Sequence, residues 1–347
     1  MLYVTTRTKD DVFTSNRALS ESRGPDGGFF VPMRLQTMEP QMLEELSLKT
    51  FSSNVAQIVN YLFNTKLDGW GIEFAIGRYP VKIARVGSRT LVAETWHNPM
   101  WKFERLARGV EKAIRQSDQI SRIPTDWLMI GARIAVFFGL FGELLRDDCP
   151  KTDGMIDVAV PCGNFSAPMA AWYARQMGLP VGNIIVCCNE NSGAWNLLHK
   201  GEIRTDAAEV ATETPLCDYA VPPDLERLIF ACLGSEAALR FSQICRRGGS
   251  FYLEPGEQEL LRRGMYASVV SQKRMENTLR NRFATHGYIC DPYTALCFSG
   301  VSDYRSATGE GRQVLILSEY APVHFLEQIS RYMDISEKEL KDKLDQQ

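Results

Sequence analysis

Residues Gly163-Asn164-Phe165-Ser166 join a short apolar stretch to an alanine-rich one, and their types suit anion binding. The apolar stretch Ile156–Val160 is predicted to be a buried strand, and Ala167–Met177 a packed helix closed by Gly178. Such a loop directs backbone N–H groups at the space above the helix N-terminus, where the helix dipole favours an anion. The loop therefore predicts a phosphate site on a parallel sheet, although a glycine here can also serve only to turn the chain.

A second polar group, Asn189-Glu190-Asn191, follows Asn183–Cys188, which is predicted to be the next strand. Ligands of open parallel sheets bind at the carboxyl ends of the strands, so Asn189 and Asn191 are candidates for the same site. The alternative is a polar loop that caps the following helix. The residues themselves favour neither interpretation.

The elements that would position these residues follow an α/β pattern. Ile120–Asp147 is predicted to be a long helix whose aromatic and aliphatic side chains cover more than one face. Such a helix lies between layers or at a subunit contact. Further helices are expected over Glu257–Ala267 and Lys273–Thr285, and a buried strand over Gln313–Leu317.

Three blocks in the chain, Cys162–Ser166, Gly24–Pro32 and Asp291–Ala295, carry a family resemblance. They are similar, in that order, to the Ser-Gly-Asn-Phe-Gly, Ala-Pro-Asp-Gly-Gly-Leu-Phe-Val-Pro and Asp-Pro-His-Thr-Ala motifs of the threonine synthases. These are pyridoxal-phosphate (PLP) enzymes of the tryptophan-synthase-β-like fold. The resemblance implies an α/β chain of PLP fold type II, with a parallel sheet flanked by helices. It also implies these cofactor-binding residues: Gly163, Asn164, Phe165, Ser166, Asn189, Asn191 and Glu319.

The catalytic block of that family is where this sequence departs. His97–Arg105 resembles His-Gly-Pro-Thr-x-Ala-Phe-Lys-Asp, and Glu104 stands at the lysine that forms the Schiff base with PLP. A carboxylate cannot form an imine with an aldehyde, so covalent catalysis through this residue is excluded. Lys102 lies two residues away and would point to the opposite side of a helix. No catalytic residue is assigned, and His97 is expected to line the former cofactor cleft.

Two further departures concern the cofactor cleft. The family's Ser-Gly-Asp-Thr-Gly substrate loop is absent, and about a hundred residues of the small cofactor-cleft domain are expected to be missing after about residue 118. The remaining organisation is then an N-terminal lobe over 1–98 and the large domain over 99–347. Glu319 replaces a threonine that faces the pyridine nitrogen in the family. It either partners a protonated ring nitrogen or points to solvent, and the second is favoured.

Composition is typical of a cytoplasmic globular protein. The chain has 347 residues with 45% hydrophobic and 23% charged residues, and a net charge of −3 that shows no nucleic-acid footprint. Its most apolar charge-free run, Ile134–Gly142, is too short to span a membrane. Nine scattered cysteines without a C-x-x-C pair indicate a reducing compartment. The four histidines show no metal-site spacing, so no metal is expected.

Two functional hypotheses remain. In the first, the protein has lost PLP catalysis and acts as a binding or interaction module. It then holds phosphate or a small phosphorylated ligand, or pairs with an active synthase or a second copy of itself, and PLP is not covalently bound or is absent. In the second, it is an active lyase that converts O-phosphohomoserine to threonine and phosphate, using another lysine or a partner chain. The three departures favour the first.

Overall fold

A six-stranded, mostly parallel sheet organises the computed structural model, which describes residues 1–76, 81–97, 106, 108–111, 126–147 and 154–346. From one edge to the other, its strands are β10 Met265–Val269, β7 Val181–Cys188, β6 Ile156–Pro161, β11 Val314–Ser318, β5 Thr90–Glu94 and β4 Lys82–Arg85. The first five of these strands run parallel, and β4 pairs antiparallel with β5 at one edge. The predicted α/β class, with helices packed on the sheet, is confirmed.

The other described strands are β1 Leu2–Thr5, β2 Phe13–Thr14, β3 Phe30–Pro32, β8 Glu202–Arg204 and β9 Ser250–Tyr252. The described α-helices are Ser15–Ser20, Pro40–Glu44, Phe51–Phe63, Gly69–Ile76, Asp126–Arg146, Ser166–Gln176, Gly193–Lys200, Leu225–Leu233, Ser235–Arg247, Pro255–Arg262, Gln272–His286, Pro292–Thr308, Leu326–Met333 and Glu337–Leu344. Two small antiparallel sheets, β2-β1-β3 and β8-β9, complete the described fold.

The central strands are buried on both faces, as parallel strands covered by helices must be. All residues of β11 are buried, and so are all of β6 except Pro161 at its end.

The prediction of a helix over Glu257–Ala267 is wrong in its last part, because the chain turns at Gly264 and continues as β10. Strand β5 was not predicted. It lies before residue 98, so the two expected regions 1–98 and 99–347 share one sheet. The suspected deletion after about residue 118 lies outside the described residues.

The helix Asp126–Arg146, called the central helix below, is a core element that packs against the helix Ser166–Gln176. By length and composition it could cross a membrane, yet 78% of its most apolar stretch is buried inside this fold. Such burial is expected of a helix in the core of a globular fold. Of the two interpretations of its broad apolar surface, the position between layers is the one observed.

Glycines on one side of the central helix allow a close approach of the helix Phe51–Phe63. A Cβ at Gly139 would meet the Phe51 ring at 2.7 Å. A Cβ at Gly142 would meet the backbone oxygen of Leu46 at 2.7 Å and the side-chain nitrogen of Asn54. That Asn54 nitrogen donates to the same Leu46 oxygen at 2.9 Å, inside the core.

Asp291 connects the last long helix to the carboxyl end of β11. Its Oδ1 accepts the N–H groups of Tyr293 and Thr294 at 2.9 and 3.1 Å, which caps the helix Pro292–Thr308. Its Oδ2 accepts the hydroxyl groups of Thr294 and Ser318. Complete burial raises the pKa of Asp291 to about 6, against the opposing effect of these hydrogen bonds.

Gly142→Ala is expected to lower the free energy of unfolding by about 1–3 kcal/mol, because the new methyl group must displace a backbone oxygen and a buried hydrogen bond. Urea unfolding followed by circular dichroism measures the change. Gly256→Ala is the matched control: it also lies in a helix, but its Cβ would meet nothing within 4 Å. The control is expected to be neutral or stabilising by up to about 1 kcal/mol. Equal effects of both substitutions would contradict the close packing.

Asp291→Asn is expected to change how stability depends on pH between about 4 and 6. The folded chain holds the Asp291 proton more tightly than the unfolded chain, whose carboxyl titrates near 3.8. The protonated carboxyl therefore contributes stability below pH 4, and this contribution is lost as the pH rises to about 6. The stability difference, wild type minus Asp291→Asn, should fall by roughly 2–3 kcal/mol across this window. If the free energies of unfolding of the two proteins changed with pH in parallel, the raised pKa of Asp291 would be contradicted.

Candidate anion-binding site

The loop from Cys162 to Ser166 makes a tight turn from β6 into the helix Ser166–Gln176. Phe165 donates its N–H to the carbonyl of Cys162 at 2.9 Å. Gly163 has φ +48, and a Cβ there would lie 3.3 Å from the carbonyl oxygen of Leu216. Phe165 has φ +74, an uncommon conformation for a side-chain-bearing residue, and its ring is fully buried. The core packing of that ring holds the turn in shape.

Asn164 fixes the loop from two sides. Its side-chain oxygen accepts the N–H of Ser166 at 3.0 Å, and its backbone oxygen accepts the N–H of Asp224 at 3.1 Å. The predicted helix is present and begins at Ser166. The Ser166 hydroxyl lies in its first turn, where the dipole of the helix favours negative charge.

An arginine from the central helix lies directly over this helix start. Nη1 of Arg133 donates to the Ser166 hydroxyl at 3.2 Å. Nε and Nη2 of Arg133 donate to the two carboxylate oxygens of Glu319, both at 3.1 Å. The side chains of this bidentate pair are only 15% and 16% exposed. The expectation that Glu319 points to solvent is therefore wrong: the carboxylate is turned inward to neutralise a cation.

These groups line a cavity of about 380 Å³, called the cradle cavity below. Gly163, Asn164 and Ser166 contribute the loop, while Arg133 and Glu319 lie opposite. The charged side chains on its wall balance in number: the arginines are Arg23, Arg133 and Arg227, and the acids are Asp126, Asp224 and Glu319. Attraction for an anion therefore depends on local geometry and not on net charge.

A second ion pair closes one side of the cradle cavity. Arg227 is 1% exposed and pairs with Asp224. Burial raises the pKa of Asp224, and the Arg227 cation opposes that rise. The guanidinium of Arg227 also lies 4.3 Å from the ring centre of Phe29. The guanidinium of Arg23 lies 3.8 Å from the same ring centre. Arg227 is thus held in place by several partners and forms a fixed wall.

Two thiols and two phenols on the cavity wall are held protonated. A hydrogen bond with Cys188, together with burial, raises the pKa of Cys162 well above its usual value. Burial raises the pKa of Cys217 to about 12 and that of Tyr293 to about 12. Burial also raises the pKa of Tyr320. These four groups remain neutral at physiological pH, so they are poor nucleophiles and poor general bases.

Asn189 and Asn191 lie outside the wall of the cradle cavity. The Asn189 amide donates to Asp218 at 2.7 Å and to the Thr214 hydroxyl at 3.1 Å. Asn191 exchanges two hydrogen bonds with the backbone of Val210, both 2.8 Å. Both side chains are nearly fully buried and anchor the loop 205–220. That loop in turn brings Leu216 and Cys217 to the cavity.

His97 forms a separate cluster with a buried acid. Its Nε2 contacts the carboxylate of Glu94, which is fully buried at the end of β5 and accepts the Tyr288 hydroxyl at 2.7 Å. His97 is not among the residues that line the cradle cavity. Glu104, the residue at the lysine position, lies outside the described residues, so the structure does not locate it.

Arg133, Arg227 and Asp224 are the functional candidates that sequence reasoning missed. Arg133 had a detectable signal, because it is the one charged residue within the apolar stretch Trp127–Gly142 of the central helix. Its partner Glu319 is 186 residues away along the chain, and no spacing rule connects the two.

The cavity wall fits one end of PLP. The loop glycine, the helix start and Arg133 suit a phosphate group. In the part of the chain that the structure describes, no lysine lines the cradle cavity, so the described wall offers no amine to an aldehyde. Both carboxylate oxygens of Glu319, the residue that the resemblance places at the ring nitrogen, already accept from Arg133. The described residues therefore support no covalent step through the cofactor.

Comparison with known sequences gives threonine synthases and related proteins, while no family model matches. The chain is 26% identical over 224 residues to threonine synthase of Methylobacillus glycogenes, covering 62% of this chain and 45% of that protein. It is 28% identical over 174 residues to human threonine synthase-like 1, covering 49% and 23%. The matched segments thus span less than half the length of these relatives.

Solved structures show the same fold. PLP-bound threonine synthase from Brucella melitensis superposes with a TM-score of 0.82 at 17% identity, covering 99% of this chain and 94% of that one. The yeast enzyme gives 0.79 at 16% identity, covering 96% and 90%. The sequence matches show that the chain is similar to threonine synthases, and the superpositions show that it has the PLP type II fold.

Proposed function

We propose that this threonine-synthase-like protein is a non-catalytic binding protein that holds phosphate or a small phosphorylated ligand in the cradle cavity. The observation that carries the proposal is Arg133, whose guanidinium donates to Ser166 at the start of the helix Ser166–Gln176, called the cradle helix. A cation, a hydroxyl and a helix N-terminus there converge on one point. Each of them is a favourable partner for phosphate oxygens.

Loss of covalent chemistry is supported by two independent features. Glu104 stands at the position of the family's Schiff-base lysine and cannot react with an aldehyde. The thiols of Cys162 and Cys217 and the phenol of Tyr293, on the cavity wall, are held in their neutral forms, which leaves them unsuited to proton abstraction at neutral pH. PLP itself, with its phosphate group, is then a candidate for non-covalent binding.

The proposal includes the setting in which the protein acts. We place it in the cytoplasm, as a homodimer or as the partner of an active synthase. The alternative function, an active lyase acting on O-phosphohomoserine, requires a lysine from elsewhere in this chain or from a partner chain. No contact among the described residues favours that alternative. Trapping of a PLP imine on a lysine distinguishes the two functions.

The protein is expected to form no imine with PLP. Purified protein is incubated with PLP, reduced with borohydride and digested, and mass spectrometry then searches every lysine for a pyridoxyl group. We expect no specific lysine to carry the label, because Glu104 replaces the amine and no lysine lines the described cavity. An intact threonine synthase treated in parallel is the positive control. Stoichiometric labelling of one lysine, Lys102 included, would establish the enzymatic alternative.

Inorganic phosphate is expected to raise the melting temperature of the wild-type protein, since a ligand that binds only the folded state stabilises it by mass action. The stabilisation should reach about 2.7 kcal/mol at a hundred times the dissociation constant. The double variant Arg133→Gln/Glu319→Gln, which replaces the ion pair by a neutral pair, should lose the effect. Arg240→Gln, which breaks an exposed pair away from the cavity, should keep it. An equal phosphate effect in all three proteins, or none in any, would rule out the cradle as the site.

A further inference from the structure

The surroundings of Arg133 explain why Glu319 is turned inward. Its neighbours along the central helix, Ile130, Ile134 and Phe137, are fully buried. A guanidinium among such residues is unfavourable unless a counter-charge and hydrogen-bond acceptors reach it. Glu319 supplies both, from the position directly after β11.

Glu319 uses the part of Arg133 that a ligand would need. The Nε and Nη2 edge of a guanidinium forms two parallel hydrogen bonds to a carboxylate, and the same edge does so to a phosphate. In Arg133 this edge is fully engaged by Glu319, and Nη1 is engaged by Ser166. A phosphate seated on the cradle would also lie close to the Glu319 carboxylate, and two like charges in a poorly solvated cavity repel each other.

We infer that Glu319 is a built-in competitor for the anion site: its carboxylate occupies the ligand-binding edge of Arg133, and an anion enters only by displacing it. This inference rests on the proposed function and adds how the site is regulated and which residue limits its affinity.

The backbone around Glu319 is fixed, so displacement is a rotation of the side chain alone. The carbonyl of the preceding Ser318 accepts the N–H and the hydroxyl of Thr95, both at 3.1 Å. The Ser318 hydroxyl donates to the Asp291 carboxylate at 3.2 Å and accepts from the indole N–H of Trp96 at 3.1 Å. Glu319 retains 16% side-chain exposure, which gives the displaced carboxylate a route to water. The protein therefore opens the site without rearranging the sheet edge.

Isothermal titration with inorganic phosphate, at constant ionic strength set with chloride, tests the inference. Glu319→Gln should bind phosphate about tenfold more tightly than wild type, because a charge-assisted contact to Arg133 no longer has to be broken. Glu257→Gln is the matched control: it changes the net charge equally, and Glu257 pairs with Arg240 away from the cavity. This control should bind phosphate as wild type does. Arg133→Gln/Glu319→Gln should show no measurable binding.

The outcomes separate the inference from the proposed function. If wild type and Glu319→Gln bind phosphate with equal affinity, the competitor role is overturned while phosphate binding stands. If no variant binds phosphate, the proposed function fails and the inference falls with it. If Glu257→Gln also binds tenfold more tightly, net charge accounts for the gain and the inference is overturned. Glu319→Ser repeats the measurement should Glu319→Gln fail to fold, with the same expected gain.

Discussion

One guanidinium on the inner side of an apolar helix sets the arrangement of the elements around the cradle cavity. Arg133 lies on the central helix, and its three nitrogens bond to Ser166 and to Glu319. Ser166 starts the cradle helix and Glu319 follows β11, so three separate elements meet at this cation. An unpaired charge at this depth is strongly unfavourable, and the pairing therefore fixes how the central helix is oriented over the carboxyl edge of the sheet.

The elements that the sequence predicts well are those in which local pattern and tertiary role agree. β6, β7 and the cradle helix are apolar or alanine-rich stretches bounded by glycine or proline, and each lies within about two residues of its predicted range. β10 was mistaken for the end of a helix because only Arg263 and Gly264 separate it from the helix Pro255–Arg262. β5 is buried on both faces and so shows no alternation to detect. The Arg133–Glu319 pair is formed by the fold itself, and no local pattern could have predicted it.

Asn189 and Asn191 show how a resemblance can identify important residues and leave their role in this chain open. The family places these residues near the cofactor. Here the two side-chain amides form hydrogen bonds to the loop 205–220. They are also linked to each other, because the backbone N–H of Asn191 donates to the side-chain oxygen of Asn189 at 3.0 Å. Buried amides of this kind are retained because removing one would leave the other group without its hydrogen bonds. Their effect on the cradle cavity is indirect, through the position of Leu216 and Cys217.

Retention of the phosphate-loop turn is, by itself, weak support for ligand binding. Gly163 and the buried Phe165 are required for the chain to turn from β6 into its helix, so the fold alone would preserve them. Arg133 is different. A buried ion pair is often no more stabilising than a well-packed apolar pair, and a leucine on the central helix would suit the surrounding core at least as well. Stability therefore gives little reason for the cation or for the acid that neutralises it. The proposed anion binding gives a reason for both: the arginine would supply the recognition, and the acid would keep that arginine neutralised until a ligand arrives.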